Sequence, residues 1–223
     1  MGVASFRYRI SKRAIDIASA FAGALLLSPV ILLTALLVAI AVGRPLIFRQ
    51  ARPGRGGKPI VVYKFRTMGP ALDAEGHRLH DAQRLSLIGR FLRASRLDEL
   101  PQLFNVLKGD MALVGPRPLL SEDQSDNHPL RLQMRPGLTG WAQINGGRNI
   151  SSTEKAELDT WYVRNASLAL DVKILIQTMH MLLTNNIDRA RARTVEKQPF
   201  PSHRSSQDSA AGGTLSADQR LFG

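Results

Sequence analysis

An uncharged, apolar segment near the N-terminus constrains this chain more than any other feature. Residues 17–42 contain no charged side chain, and a Ser28-Pro29 pair interrupts them near the middle. About 20 apolar residues are enough to cross the hydrocarbon core of a bilayer, so this segment predicts insertion into a membrane. A cleaved signal peptide is disfavoured, because its apolar region is normally only about 7–15 residues long.

Basic residues flank this segment on both sides. They are Arg7, Arg9, Lys12, Arg13, Arg44, Arg49, Arg52 and Arg55. Positive charge normally marks only the cytoplasmic end of a membrane helix. Charge at both ends therefore favours a segment that enters the bilayer and returns to the same side. A single kinked span remains the alternative.

The proline gives this re-entry a physical cause. Pro29 has no N–H, and its ring clashes with the carbonyl group of Leu25. The Ser28 hydroxyl can donate to a carbonyl freed in this way. Each arm beside the proline reaches only about 18–20 Å, which is short of the roughly 30 Å hydrocarbon core. We therefore predict that Ser28 and Pro29 form the kink of a re-entrant anchor covering residues 1–43.

Composition narrows the class of partner. The chain has 223 residues, enough for one domain plus an anchor, and its net charge of +12 indicates an anionic partner. A membrane segment on the same chain favours an anionic membrane face or a phosphorylated substrate over nucleic acid, and we predict no nucleic-acid partner. The absence of cysteine excludes disulfides and thiol chemistry.

The rest of the chain divides into a catalytic unit and a tail. We assign residues 44–185 to the catalytic unit, with a strand at residues 60–65 and helices at about residues 154–165 and 170–184. The last of these helices is strongly apolar, and it either packs in the core or lies on a membrane surface. Residues 186–223 lack apolar periodicity and are predicted to be a disordered tail.

An acid pair, Asp98 and Glu99, precedes a short amphipathic pattern. Pro101 fits only the first turn of a helix, so the two acids should lie at a helix N-terminus. The apolar residues that define one face of this helix are Leu100, Leu103, Phe104 and Leu107. Asp98 is then either a simple N-cap or part of a phosphate site, where the two acids supply a nucleophile and a metal ligand.

Basic side chains of restricted geometry lie in two other segments. Two prolines restrict the backbone around Arg117, and such an arginine suits bidentate phosphate binding. Lys64 and Arg66 should lie on one face at the end of the predicted strand. The alternative for both segments is a solvated turn or strand face. The five histidines show no spacing typical of metal ligands.

Together these segments resemble the bacterial sugar transferase family, the small monotopic phosphoglycosyl transferases. The resemblance covers about residues 8–184, and the order and spacing of its motifs are far more specific than any one motif. The matching segments are Lys12–Asp16, Ser28–Pro29, Phe48–Gln50, Arg52–Gly54, Tyr63–Met68, Arg96–Asn105, Gly109–Met111, Gly115–Pro118, Arg135–Trp141 and Trp161–Tyr162.

The resemblance implies a fold and a reaction. The fold is α+β and predominantly α: a re-entrant membrane helix-hairpin with a compact cytoplasmic domain that contains a small β element. The reaction transfers a sugar-1-phosphate from a UDP-sugar to undecaprenyl (polyprenol) phosphate and releases UMP. It takes place at the cytoplasmic face of the bacterial inner membrane, as the first membrane step of exopolysaccharide, O-antigen or glycoconjugate assembly.

The resemblance also implies residue roles. Asp98 becomes the nucleophile that forms an aspartyl phosphosugar and the ligand of Mg²⁺, with Glu99 as its catalytic partner. The expected phosphate-binding residues are Lys64, Arg66, Arg96 and Arg117. A non-enzymatic, membrane-tethered basic module that binds anionic lipid or nucleic acid remains the alternative function. The sugar and the pathway stay open, as does the oligomeric state, for which a homodimer is one option.

Overall fold

The computed structural model describes residues 6–71, 76–77, 79–119, 129–146 and 150–184. Within these ranges the chain is predominantly helical and carries two small sheets of two strands each. The predicted α+β class is therefore confirmed. The predicted tail, residues 186–223, lies outside the described residues. The division of the chain at residues 43 and 185 stays a prediction.

Two helices joined at a sharp bend contain the apolar segment. Helix α1 spans Phe6–Leu26 and helix α2 spans Ser28–Ala41, with a bend of 63° between them. The Ser28 hydroxyl donates to the carbonyl oxygen of Leu25 at 2.8 Å, so the predicted compensation for Pro29 is confirmed. Among the described residues no single helix is long and apolar enough to cross a membrane, and α1 and α2 meet that criterion only as a bent pair.

The first half of α1 packs into the rest of the protein. Tyr8 and Lys12 each donate to the Asp171 carboxylate at 2.9 Å. One turn further on, Asp16 accepts the backbone N–H of Leu113 at 3.1 Å. All four side chains that make these contacts are buried. Since buried polar groups are costly without partners, these contacts fasten the start of the apolar segment to the catalytic unit.

Two antiparallel strands follow α2. Strand β1 spans Ile47–Pro53 and strand β2 spans Pro59–Phe65, with Phe48 opposite Lys64. The predicted strand at residues 60–65 is confirmed. Strand β1 was not predicted, because its sequence is rich in arginine and lacks a continuous apolar face. It is a strand because it pairs with β2 along its whole length.

Short helices then lead to the acid pair. Helix α3 spans Asp81–Arg84, helix α4 spans Leu87–Ala94, and helix α5 spans Gln102–Lys108. A 3₁₀ turn, Leu97–Glu99, connects α4 to α5. Ser86 caps α4 by accepting the Gly89 N–H at 2.9 Å, an ordinary N-terminal cap.

The buried face of α5 differs from the predicted one. Phe104 is 59 % exposed, whereas Asn105 and Val106 are fully buried. The prediction that Phe104 shares the core face was therefore wrong. The apolar periodicity starts at Leu100, but α5 begins only at Gln102. The inner side of α5 carries the polar residue Asn105, which hydrogen-bonds β2.

The remaining elements complete the core. Strand β3, Ala112–Val114, pairs in parallel with β4, Gly137–Thr139. Helices α6, α7 and α8 span Trp141–Ile144, Ser152–Asn165 and Leu168–Thr184. The last two confirm the predicted helices.

Helix α8 has one buried and one exposed apolar side. Ile174 is fully buried in the core. A stripe along the opposite side is exposed and consists of Leu168, Val172, Ile176, Met179 and Leu183. Core packing, one of the two options left by the sequence, is therefore confirmed for the inner face, and contact with a membrane surface stays a prediction for the exposed stripe.

Candidate active site

The acid pair lies in a backbone segment of unusual conformation. Asp98 and Glu99 belong to the 3₁₀ turn, and each is only 8 % exposed. Arg96 precedes them with φ 60° and ψ 14°, the only positive φ of a non-glycine residue in the described part of the chain. Left-handed conformations cost energy in non-glycine residues and concentrate at functional sites. No pattern in the sequence indicated this geometry.

Three cationic side chains converge on Glu99. The Lys64 ammonium lies 2.7 Å from its Oε1, and the Arg117 guanidinium lies 4.0 Å from the same oxygen. Arg96 approaches Oε2 at 3.6 Å. Burial alone would raise the pKa of Glu99, but the charges of Lys64, Arg117 and Arg96 outweigh burial and lower the pKa below its ordinary value. Glu99 is therefore held as a carboxylate.

Asn105 holds β2 beside this turn. Its amide nitrogen donates to the Val61 carbonyl at 2.6 Å, and its amide oxygen accepts the Tyr63 N–H at 3.1 Å. Lys64 is the next residue of the strand, so Asn105 sets the distance between Lys64 and the acid pair. Asn105 was not predicted to be a site residue. The sequence feature that could have indicated its role is a polar side chain on the inner side of a short amphipathic helix.

A buried ion pair holds the backbone of Arg117. The Arg131 guanidinium donates to the Arg117 carbonyl at 2.8 Å and contacts Asp159 at 2.8 Å, and Asp159 also hydrogen-bonds the Arg117 backbone. Arg131 is 2 % exposed and Asp159 is fully buried. Burial raises the pKa of Asp159 to about 6, even though Arg131 favours the ionised form. Such a pair adds little net stability, so we interpret its role as positioning Arg117.

Gly115 allows the segment that carries Arg117 to approach β4 closely. A Cβ atom at this position would lie 2.5 Å from the Arg135 carbonyl oxygen and 2.9 Å from the Gly137 nitrogen. No side chain fits there without displacing the backbone. The Gly115 N–H instead donates to the Thr139 carbonyl at 2.9 Å, which extends the parallel pairing of β3 and β4 to the start of the Pro-Arg-Pro segment.

A polar cavity of about 600 Å³ surrounds the acid pair. Among its lining residues are Lys64, Arg66, Asp98, Glu99 and Arg117. Arg66 donates to the carbonyl groups of Met68 and Arg44, each at 3.0 Å, and therefore lies at the wall of this cavity with part of its donor capacity in use. Of the predicted phosphate-binding residues, only Arg96 does not line the cavity.

Two arginines of this cavity were not predicted. Arg84 and Arg93 line the same wall, and the Arg93 Nε donates to the Thr67 hydroxyl at 2.9 Å. They enlarge a basic surface that faces three carboxylates, those of the acid pair and that of Asp81, which pairs with Arg84 at 3.3 Å. A dense set of cations around acids in a concave site is typical of enzymes that act on phosphorylated substrates, because the cations offset the substrate's charge.

The donor set suits a magnesium ion shared with a substrate. The described residues contain no group of three or more His, Asp or Glu side chains that could hold a metal alone. Mg²⁺ is commonly bound by one or two carboxylates together with substrate phosphates. Asp98 lines the polar cavity and can supply such a carboxylate ligand.

Comparison with known proteins places the chain in a family. The profile of the family described as Bacterial sugar transferase matches residues 7–185. The chain is 45% identical over 192 residues to the protein named Uncharacterized sugar transferase EpsL of Bacillus subtilis, covering 84% of this chain and 95% of that protein. The chain belongs to the bacterial sugar transferase family.

Two further relatives have more specific names. Proteins of Escherichia coli and Caulobacter vibrioides, each named UDP-glucose:undecaprenyl-phosphate glucose-1-phosphate transferase, are 41% and 40% identical to it. The alignments cover 77% and 79% of this chain, respectively. They cover only 40% of the E. coli protein but 71% of the Caulobacter protein. The similarity therefore extends over most of this chain and a variable share of its relatives.

Replacing Glu99 by glutamine is expected to destabilise the protein. The substitution keeps the size of the side chain but leaves three cations facing one another without their central charge. We expect a loss of about 1–3 kcal/mol, less than for a fully buried ion pair, because Lys64 and Arg117 are partly exposed. Thermal unfolding in metal-free buffer measures it.

Salt provides the control for this prediction. Salt should screen the repulsion among the three cations. The loss in free energy of unfolding caused by Glu99→Gln should therefore be smaller at high ionic strength. The same substitution at the exposed Glu157 should change little. A deficit that is independent of salt would contradict an electrostatic origin.

Proposed function

We propose that this protein transfers a sugar-1-phosphate from a UDP-sugar to a polyprenol phosphate such as undecaprenyl phosphate, with release of UMP. The observation that carries the proposal is the buried acid pair surrounded by cations in a family whose relatives carry the names of such transferases. The diphosphate of the donor is a polyanion, and the polar cavity offers it five cationic side chains: Lys64, Arg66, Arg84, Arg93 and Arg117.

The reaction divides into two displacements at one phosphorus atom. In the first, a carboxylate oxygen of Asp98 attacks the sugar-bearing phosphorus, a new O–P bond forms, and the bond to the bridging oxygen breaks to release UMP. In the second, a phosphate oxygen of the polyprenol phosphate attacks the same phosphorus and regenerates the Asp98 carboxylate. The product is a polyprenyl diphosphate sugar, and neither displacement consumes water.

The surrounding side chains offset the charge that develops during both displacements. Lys64 and Arg117 stand next to the acid pair, so they can neutralise the equatorial phosphoryl oxygens. Glu99 keeps these cations in place. Mg²⁺, held by Asp98 and the donor diphosphate, would supply further positive charge to the leaving phosphate. Burial of the acid pair limits water and with it hydrolysis of the acyl phosphate.

The acceptor requires the site to lie at a membrane, and we propose that α1 and α2 form a re-entrant anchor. Large apolar side chains on both helices are exposed, with Leu26 beside the bend at 79 %. Helix α2 returns to the catalytic unit, where Val38 packs with Phe65 and Leu92. These contacts tie both ends of the pair to one body, which supports re-entry, with the catalytic unit at the cytoplasmic face of the bacterial inner membrane.

Removing the kink should alter the topology. Pro29→Ala combined with Ser28→Ala restores a backbone donor and removes the hydroxyl that binds the Leu25 carbonyl. The expected outcome is a straighter helix, with loss of most transferase activity while the protein stays in the membrane fraction. The chain has no cysteine, so single cysteines at Phe6 and Lys58 report the sidedness of each flank.

Labelling from outside intact cells decides between the two topologies. In the parent chain both cysteines should be protected, and in the double variant the Phe6 position should become accessible. Labelling of Phe6→Cys in the parent chain, with Lys58→Cys protected, would mean a true span. Unchanged topology and full turnover of the double variant would contradict the role assigned to Ser28 and Pro29.

The proposed reaction is tested with purified protein, undecaprenyl phosphate, Mg²⁺ and a panel of UDP-sugars. One or a few of the UDP-sugars should support release of UMP. Repeated turnover should require both the lipid and the metal. A metal chelator should stop the release. Lack of UMP with every donor, from protein whose unfolding transition shows that it is folded, would contradict the proposal.

A further inference from the structure

A second cavity, of about 390 Å³, adjoins the polar cavity at Glu99. Its walls are apolar and come from α5, β4, α8 and the 3₁₀ turn. The wall residues include Leu97, Leu100, Leu103, Leu138, Leu175 and Met179. Glu99 lines this apolar cavity and the polar cavity alike, so the two cavities meet at one catalytic side chain.

The apolar cavity reaches the bend of the anchor. Leu27, the residue between α1 and α2, lines it, and so does Leu182 near the end of α8. Met179 and Leu182 are 56 % and 41 % exposed, so the cavity communicates with the surface along α8. A chain that enters between α8 and the anchor therefore has an apolar path from the bend to Glu99.

A buried amide faces this apolar space without a partner. Gln143 of α6 lines the cavity and is 6 % exposed, yet neither its amide nitrogen nor its amide oxygen has a hydrogen-bond partner among the described residues. Two other polar residues of the wall have partners: the hydroxyl groups of Thr139 and Thr178 bond each other at 2.8 Å. A buried polar group without a partner is costly, so the Gln143 amide has donor and acceptor capacity to offer to whatever occupies the cavity.

From this combination we infer that the apolar cavity binds the prenyl chain of the acceptor, with its phosphate end held between Gln143 and Arg96. The inference rests on the proposed function. A polyprenyl phosphate carries all its polar atoms at one end, which matches a cavity that is apolar toward the anchor and polar toward the acid pair. Arg96, on the rim, supplies the complementary charge, and the Gln143 amide supplies a donor for a phosphate oxygen.

The placement explains how donor and acceptor approach one phosphorus from different sides. The polar cavity holds the diphosphate and contains Asp98, whereas the apolar cavity does not contain Asp98. The acceptor phosphate therefore arrives beside Glu99 without displacing the donor-binding arginines. Arg96, the predicted phosphate-binding residue that the polar cavity lacks, belongs to the acceptor side.

Gln143→Leu tests the assignment by separating stability from lipid binding. The substitution keeps the size and removes an unsatisfied buried amide, so Tm should stay the same or rise. The KM for undecaprenyl phosphate should nevertheless rise roughly tenfold or more, the cost of a hydrogen bond to a charged group, while the KM for the UDP-sugar stays unchanged. Gln133→Leu, at an exposed position outside both cavities, is the matched control.

Equal changes in both KM values, or no change in the KM for the lipid, would overturn the assignment. Photo-crosslinking gives a second measurement that does not depend on turnover. Leu182 is replaced by p-benzoylphenylalanine in the full-length protein, in phosphatidylglycerol nanodiscs that contain undecaprenyl phosphate. The exposed neighbour Leu183 does not line the cavity and receives the same replacement as a control.

Mass spectrometry of the illuminated samples identifies the occupant. An adduct with undecaprenyl phosphate at position 182, stronger than at position 183, supports the assignment. Adducts with phosphatidylglycerol alone, with residues 185–223 of the chain itself, or no adduct at position 182 would overturn it. If the variant with p-benzoylphenylalanine at position 182 crosslinks the prenyl lipid but the parent protein releases no UMP from any donor, the proposed function fails while the cavity assignment stands.

Discussion

Asp98→Asn should leave a folded protein that transfers no phosphosugar. The amide keeps the shape of the side chain in the 3₁₀ turn but cannot attack phosphorus. We expect a loss in kcat on the order of 10⁴–10⁶, the range found when a nucleophile is removed from a covalent mechanism. A cooperative thermal unfolding transition should show that the variant is folded, since asparagine keeps the size of the side chain.

The covalent step itself is measured with the donor alone. Parent protein quenched after mixing with UDP-sugar and Mg²⁺ should gain the mass of one phosphosugar, located on the peptide that contains Asp98, whereas Asp98→Asn should gain nothing. Asp110→Asn, which changes a carboxylate paired with Lys108 outside the polar cavity, is the control. An adduct on Glu99 would assign the nucleophile to Glu99 instead, and Mg²⁺-dependent turnover by Asp98→Asn without any adduct would indicate direct attack by the lipid phosphate.

Arg117→Lys should reduce kcat/KM by roughly 10²-fold although the charge is conserved. A lysine ammonium is a point charge and cannot replace the planar fork of donors that binds a phosphoryl group. The fold should tolerate the change, because Arg131 and Asp159 bind the backbone of residue 117, which lysine keeps. The loss should therefore appear in kinetics and not in Tm.

The matched control for this prediction is Arg90→Lys, because Arg90 is exposed on α4 and lines neither the polar nor the apolar cavity. It should have parent kinetics. Near-normal turnover by Arg117→Ala would return Arg117 to the alternative reading of a solvated turn. A large fall in Tm for Arg117→Lys would instead mean that the side chain, and not only the backbone, is part of the structure.

Local sequence was sufficient where the cause is local. Pro29 removes one backbone donor, and Ser28 lies within reach of the carbonyl it frees, so the bend and its hydrogen bond follow from adjacent residues. The helices at residues 152–165 and 168–184 follow from periodicity over many turns. The position of Asp98 and Glu99 just ahead of α5 follows from Pro101, which cannot occupy a helix interior.

Local sequence misled where a single helix had too few turns to define a face. The spacing of Leu100 and Phe104 is typical of one side of a helix, but Phe104 is exposed and the buried side carries Asn105. Strand β1 shows the same limit. Its arginine-rich sequence has little intrinsic preference for a strand, and the hydrogen bonds to β2 determine its conformation.

The sequence by itself thus determined the family and the bent apolar pair, and it predicted the acid pair and four of the cations, because each depends on neighbouring residues or on motifs in order. Only the tertiary structure decided that Lys64, Arg96 and Arg117 face Glu99, that Arg131 and Asp159 hold Arg117, and that Gln143 faces an apolar cavity. Apart from the contact between Arg96 and Glu99, which are three residues apart, these contacts join segments that meet only after folding. Their geometry is set by packing of the whole chain, which no local propensity encodes.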